Sequence, residues 1–230
     1  VCGSPIGAND KTCRTCGAPL TAKAASASVA LLAGSKLLGG QYVISKILGQ
    51  GGFGITYDAQ DQRLGLRVAI KELFVDGSSR RGSDVQAPSR LSTAEFEETK
   101  VRFLDEAKVL ARFNDPNIVR VFNYFEENNT AYLVMEFLEG STLGGKIEKE
   151  GKLPPAVVLE IADATTHTLE TIHAAGLLHR DIKPDNIFLH KSGRVVLIDF
   201  GSVRAFASGQ TMSHTRLVTP GYAPLEQYST

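Results

Sequence analysis

Two runs decide the fold: His179-Arg180-Asp181-Ile182-Lys183-Pro184-Asp185-Asn186 and, downstream, Asp199-Phe200-Gly201. They read H-R-D-x-x-x-x-N and then D-F-G. The spacing from Asp181 to Asn186 lets a loop turn back, so that an acid–base group and a hard oxygen ligand flank one site. Two further runs lie upstream. Gly49-Gln50-Gly51-Gly52-Phe53-Gly54 matches G-x-G-x-x-G, and Val68-Ala69-Ile70-Lys71 has strand composition ending in a lysine. Glycines let backbone N–H groups approach phosphate oxygens without Cβ clashes. The glycine pattern alone is weak, because dinucleotide-binding folds share it. There it leads from a strand into a helix. Here Ile55-Thr56-Tyr57-Asp58-Ala59 follows, which predicts a second strand and a glycine-rich hairpin.

In this order the four runs resemble the glycine-rich loop, lysine strand, catalytic loop and metal-binding turn of protein kinases. From about Gln41 to its end the chain resembles a eukaryotic-like serine/threonine protein kinase of bacterial type. The resemblance implies an α+β, two-lobed, protein-kinase-like fold. A β-rich N-lobe is expected over residues 41–138 and part of a helical C-lobe over residues 139–230. It also implies ATP and Mg²⁺ as cofactors and proteins as substrates.

The resemblance assigns roles residue by residue. Gly49, Gly51, Gly52 and Gly54 would cover the phosphates, and Lys71 would hold them. Glu106 would position Lys71, with Asp105 and the Glu95–Glu98 run as alternatives. Val68, Ala69 and Met135 would line the adenine pocket, with Glu136 and Leu138 offering hinge hydrogen bonds. Asp181 would orient the substrate hydroxyl and accept its proton. Lys183 would neutralise the moving phosphoryl group, and Asn186 and Asp199 would hold Mg²⁺. His179 would pack with Leu110, Val121 and Phe200 rather than act as an acid or base. Lys183 and Thr219, in Thr219-Pro220-Gly221-Tyr222, fit serine/threonine specificity. Apart from the resemblance, Arg180 could pair with a phosphate on the loop that carries Thr211, Ser213 and Thr215, with Thr215 and Ser213 preferred; unmodified hydroxyls are the alternative. Pro224-Leu225-Glu226 departs from the family's A-P-E, which puts the shape of that closing segment in question.

Away from these runs the sequence is less specific. All three cysteines lie in residues 1–20, as Cys2 and Cys13-Arg14-Thr15-Cys16-Gly17. C-x-x-C-G is a zinc-knuckle pattern, whose tight turn lets two thiolates face one metal. Residues 1–20 are expected to be part of a zinc ribbon, with Cys2, Cys13 and Cys16 as ligands and a fourth cysteine upstream. A redox pair or incidental cysteines are the alternatives. Residues 21–40, rich in Ala, Ser, Gly and Leu, read as a linker. Within it, residues 29–38 are apolar enough to form a short helix or to lie against the following domain. The first residue is not Met, and the family's later helices would follow the last one, so the chain reads as a fragment at both ends.

Helical spacing places Phe103, Ala107 and Leu110 on one face. Pro154-Pro155 opens a second helix that runs through Ile161, Leu169 and Ile172 to Gly176. Lys71 and Glu106 lie 35 positions apart, longer than the family needs. The excess, residues 76–95, is polar and turn-rich and reads as an exposed, passive insertion. Arg80, Arg81 and its serines leave a regulatory loop as the alternative.

Composition excludes several classes. The 230 residues are 43% hydrophobic, enough for a real core, and carry 25 basic against 25 acidic side chains. That balance gives no dominant field for nucleic acid or an anionic membrane. Residues 1–20 hold only Lys11 and Arg14 as basic residues and no aromatic, against a nucleic-acid-binding ribbon. No apolar run approaches the roughly 20 residues that span a bilayer. With no basic run ahead of an apolar core, the chain reads as cytoplasmic, or as the cytoplasmic part of something longer. A catalytically inactive signalling scaffold is the competing function. It would lack Lys71, Asp181 or Asp199, and all three are present.

Overall fold

The computed structural model of the chain describes residues 29–51, 54–200, 204–205 and 219–228. The cysteines Cys2, Cys13 and Cys16, Gly52, and the hydroxyl residues Thr211, Ser213 and Thr215 lie outside them.

The first half builds a twisted antiparallel sheet. Its strands are β1 (Lys36–Leu37), β2 (Tyr42–Gly51), β3 (Gly54–Asp61), β4 (Leu66–Leu73), β7 (Val121–Glu127) and β8 (Thr130–Glu136), in the order β1-β2-β3-β4-β8-β7. The β2–β3 connection is the expected glycine-rich hairpin, with Gly51 paired to Gly54. Gly54 is fixed by packing: a Cβ there would lie 2.5 Å from the Glu72 carbonyl oxygen. Among the described residues Gly49 and Gly51 have no such constraint, since a Cβ on either would meet none of those residues' atoms within 4 Å.

Between β4 and β7 run a small hairpin, β5 (Ser79–Arg81) and β6 (Asp84–Gln86), and helix α1 (Thr93–Leu110). A capping box starts α1. Ser92 Oγ accepts from Glu95 N, while Glu95 Oε2 accepts from Ser92 N at 2.8 Å. Phe96, Phe103, Ala107 and Leu110 are buried at helical spacing, so the predicted face does turn inward.

The insertion differs in part from expectation. Most of residues 76–95 are exposed, as expected, but the stretch is structured: Val85 is fully buried, Arg80's side chain is 4% exposed, and its last part is the first turn of α1. Residues 29–38 take the second of the two forms expected of them. They lie against the sheet, burying Ala30, Leu31 and Leu37.

The second half is helical with short strands. It comprises β9 (Gly140–Thr142), α2 (Leu143–Glu150), α3 (Pro155–Ala174), β10 (Leu177–Leu178), β11 (Ile187–His190), β12 (Val195–Leu197) and β13 (Arg204–Ala205). Strands β12, β11 and β9 form one small sheet. Proline at the first position of α3 needs no N–H partner. Its buried Thr165 and Thr168 bond back to the Ile161 and Ala164 carbonyls, so they are satisfied inside the packed face. Gly176, at φ +73°, turns the chain out of α3 and toward the run His179–Asn186. The segment after α1 joins the halves: Val119 N donates to Leu197 O, and Leu197 N to Asn117 O. No helix of the described residues is long and apolar enough to cross a membrane.

Candidate active site

Lys71 lies in β4, paired across the sheet with Thr56 and Leu133. Its ammonium reaches Asp199 Oδ1 at 3.0 Å and Glu106 Oε1 at 3.6 Å. The alternatives to Glu106 are engaged elsewhere: Asp105 with Lys108, Glu97 with Lys100 and Glu98 with Arg102. Glu106 Oε1 also accepts from Phe200 N at 3.2 Å, which ties α1 to the Asp199-Phe200 turn. Burial alone would lower the Lys71 ammonium. The carboxylates of Glu106 and Asp199 outweigh it and raise Lys71 above the usual lysine range, so it stays charged.

Asp181 forms the second half of the site. Its Oδ1 accepts from Thr219 Oγ1 at 2.7 Å. Its Oδ2 accepts from Lys183 Nζ at 2.9 Å and from Asn186 Nδ2 at 2.8 Å. Lys183 Nζ also donates to Thr219 Oγ1 at 3.0 Å. Each of these partners comes from the predicted loop or from the Thr219 segment beyond it. The 3₁₀ turn Pro184–Asn186 brings Asn186 back onto Asp181, as the spacing required. Arg180 takes φ +66°, a conformation that costs a non-glycine residue energy and that the surrounding bonds hold in place. Gln227 Nε2 donates to its carbonyl at 3.2 Å.

Asn186 and Asp199 approach through the backbone, since Ile198 N donates to Asn186 O at 3.1 Å. The Asn186 amide nitrogen is committed to Asp181, which leaves its side-chain oxygen as the atom it can offer a cation. One carboxylate plus one amide oxygen suits Mg²⁺, which takes few protein ligands and keeps waters and phosphates.

His179 meets one of the three partners expected of it, Phe200. Its ring centroid lies 4.8 Å from that of Phe200, and His179, Phe200 and Leu110 are all buried. Burial pushes its pKa down to about 4, with nearby Asp199 and Asp181 opposing, so the ring is neutral at pH 7. Its Nδ1 accepts from Asp181 N, and its Nε2 has no partner among the described residues.

At the hinge, Ala69 pairs with Met135 and Val68 with Glu136. The Glu136 N–H is already bonded to Arg120 O at 2.9 Å. Its carboxylate accepts from Arg120 N and, at 2.9 Å, from Arg194 Nη2. Arg194 also donates to Pro116 O. This clasp across the hinge escaped the sequence reading, because Arg194 stands 58 positions from Glu136 and belongs to no motif.

The assembled site can be compared with known proteins. Residues 42–228 match the protein kinase domain family. The chain belongs to the protein kinase family. It is 39% identical to a probable serine/threonine-protein kinase of Streptomyces coelicolor, over 83% of this chain and 27% of that protein. It is 35% identical to the serine/threonine-protein kinase PknA of Mycobacterium tuberculosis, over 81% of this chain and 42% of that protein. The chain thus spans less than half the length of these curated relatives. Among solved structures, the apo form of PpkA-294 superposes with a TM-score of 0.76 at 32% identity, over 88% of this chain and 72% of that one. The kinase domain therefore has the two-lobed architecture that its motifs implied.

Proposed function

We propose that this chain carries the catalytic domain of an ATP-dependent serine/threonine protein kinase, which moves the γ-phosphoryl group of ATP onto protein hydroxyl groups. One observation carries the reading. Asp181 is held on both oxygens by Lys183, Asn186 and Thr219, while Lys71 stands between Glu106 and Asp199. A non-catalytic scaffold has no need of either arrangement.

In this reading Lys71, kept charged by its two carboxylates, holds the phosphates. Met135, Val68 and Ala69 close the adenine end, with the Leu138 N–H as hinge donor because that of Glu136 is committed. Asp181 orients the incoming hydroxyl and takes its proton. A bond forms from the substrate oxygen to the γ-phosphorus, the bond to the β–γ bridging oxygen breaks, and ADP leaves. Lys183 places positive charge beside the moving group. Mg²⁺, when bound, supplies charge neutralisation across the phosphates, and Asp199 with the Asn186 side-chain oxygen would hold it. The Lys183–Thr219 contact and the names of the relatives support serine and threonine as acceptors.

The test is transfer of label from γ-labelled ATP to a protein acceptor by the full-length protein, followed by acid hydrolysis. Phosphoserine and phosphothreonine are expected; an unlabelled acceptor, or phosphotyrosine alone, contradicts the reading. A structural Zn²⁺ on Cys2, Cys13 and Cys16 is proposed separately, supported by the C-x-x-C-G spacing. Metal analysis of protein purified without chelator should find zinc, and its absence removes that proposal.

A further inference from the structure

The sheet has a second face, behind the active site. Cross-strand pairing puts Ile55 beside Glu72, Tyr57 beside Ile70, and Tyr132 beside Glu72 on that face. In the alternation of β4, Ala69 and Lys71 point to the other side. Glu72 is fully buried, as are Tyr57 and Tyr132. A carboxylate in that position needs partners, and it has them. Glu72 Oε1 accepts from Tyr132 Oη at 2.8 Å. Its Oε2 accepts from Tyr57 Oη at 2.7 Å and from Arg80 Nη2 at 2.6 Å. Burial first, and then the Glu72 charge, raise both tyrosine hydroxyls, so they remain donors.

Two elements outside the sheet meet at this carboxylate. Arg80 comes from the β5–β6 hairpin, which is itself fastened to the β7–β8 turn: Val85 N donates to Asn128 O, and Asn129 Nδ2 to Val85 O. The segment that enters from the N-terminal side also closes on it. Leu31 N donates to Tyr57 Oη at 3.1 Å, and Arg80 Nε donates to Val29 O at 2.7 Å. Entering segment, hairpin and buried carboxylate thus form one connected network.

A buried Arg–Glu pair is a poor device for stability, because apolar residues of similar volume often do as well. Its attested use is to fix register. Here the residue so fixed is the chain neighbour of Lys71, and the Glu72 carbonyl is the group that Gly54 of the glycine-rich hairpin packs against. Whatever holds Glu72 therefore holds both the lysine strand and the glycine-rich strand.

We infer that Glu72 is a positioning residue for Lys71, and that residues 29–31 with the β5–β6 hairpin form the clamp that holds it in place. The inference takes its functional meaning from the proposed kinase activity. The clamp itself is testable without that activity.

The test uses the full-length protein with two variants, neither touching the site. Glu72→Gln combined with Arg80→Met removes the charge pair and leaves no lone charge buried. Tyr57→Phe keeps the ring and removes only the link between Leu31 and Glu72. The first readout is the rate at which an amine-acetylating reagent modifies Lys71, followed by mass spectrometry, with Lys146 and Lys191 as internal controls. Lys71 modification should rise at least about fivefold in both variants, as expected for loss of charge-assisted bonds, while the controls stay constant. The second readout is kinetic: KM for ATP should rise by a similar factor and KM for the protein acceptor should not. Arg80→Lys should restore part of both effects. Unchanged Lys71 modification in a variant that melts cooperatively overturns the clamp, whether or not the protein transfers phosphate. A wild-type protein that transfers no phosphate while its variants still expose Lys71 overturns the kinase reading and leaves the clamp standing.

Discussion

Removing the Thr219 hydroxyl should disable the chemistry without weakening nucleotide binding. Thr219 Oγ1 donates to Asp181 Oδ1 at 2.7 Å and accepts from Lys183 Nζ at 3.0 Å. Thr219→Val keeps the shape and deletes both bonds. Among the described residues Asp181 then keeps the donors on Oδ2, from Lys183 and Asn186, and its ring of support opens on one side. A hydrogen bond to a charged group contributes about 1.5–3 kcal/mol. If most of that orients Asp181 in the transition state, kcat falls by about 10- to 100-fold, since each 1.4 kcal/mol is about tenfold. KM for ATP should stay within about twofold, because Thr219 touches neither Lys71 nor Asp199. Thr219→Ser should recover most of the rate, because the hydroxyl returns without the methyl. The assay is steady-state transfer from labelled ATP to a protein acceptor by the full-length variants. Equal losses in Thr219→Val and Thr219→Ser, or full activity in Thr219→Val, would refute the argument that the hydroxyl orients Asp181.

Three further outcomes follow from the geometry. Asp199→Asn removes the charge of the proposed Mg²⁺ ligand and leaves the proposed adenine pocket of Val68, Ala69 and Met135 unaltered, so Mg²⁺-dependent ATP affinity should fall by about tenfold or more while adenosine affinity holds, measured by calorimetry. Gly54→Ala drives a Cβ into the Glu72 carbonyl oxygen and should cost about 2 kcal/mol, a Tm drop of about 4–8 °C, whereas Gly49→Ala should leave Tm unchanged. His179 has a folded pKa of about 4, below its unfolded value, so the unfolded chain binds the extra proton first. Its contribution to stability is complete above the unfolded pKa and is lost as pH falls toward 4. Denaturant midpoints of wild type and His179→Phe should therefore diverge between about pH 7 and pH 4, with the variant losing less, by up to about 3 kcal/mol.

What the sequence exposed, and what it hid, follows from the range of the interactions. The loop around Asp181 and the turn at Asp199 are local runs whose chemistry is written in adjacent letters. The inward face of α1 was legible because Phe103, Ala107 and Leu110 repeat at the helical period. The start of α1 was legible in principle: Ser92 and Glu95 have capping-box spacing, yet the polar character of the surrounding stretch suggested a loop. The burial of Arg80 was not legible. Its partner Glu72 lies in a different strand, and an arginine among glycines and serines looks solvated until the carboxylate beneath it is known. Glu72 was hidden for the complementary reason. A charged residue beside Lys71 ought by alternation to face solvent, and it would do so without the chain packed over that face. Arg194 and Glu136 are likewise joined only by the fold.

The central claim is that Asp181 and its partners perform phosphoryl transfer. The most direct test is Asp181→Asn in the full-length protein, which keeps a side chain of the same size with Lys183, Asn186 and Thr219 around it. Transfer from labelled ATP to a protein acceptor should fall by at least about two orders of magnitude, as loss of a positioned acid–base group requires, with nucleotide affinity and Tm nearly unchanged. Transfer at close to the wild-type rate in that variant would contradict the assignment of Asp181 and the mechanism built on it.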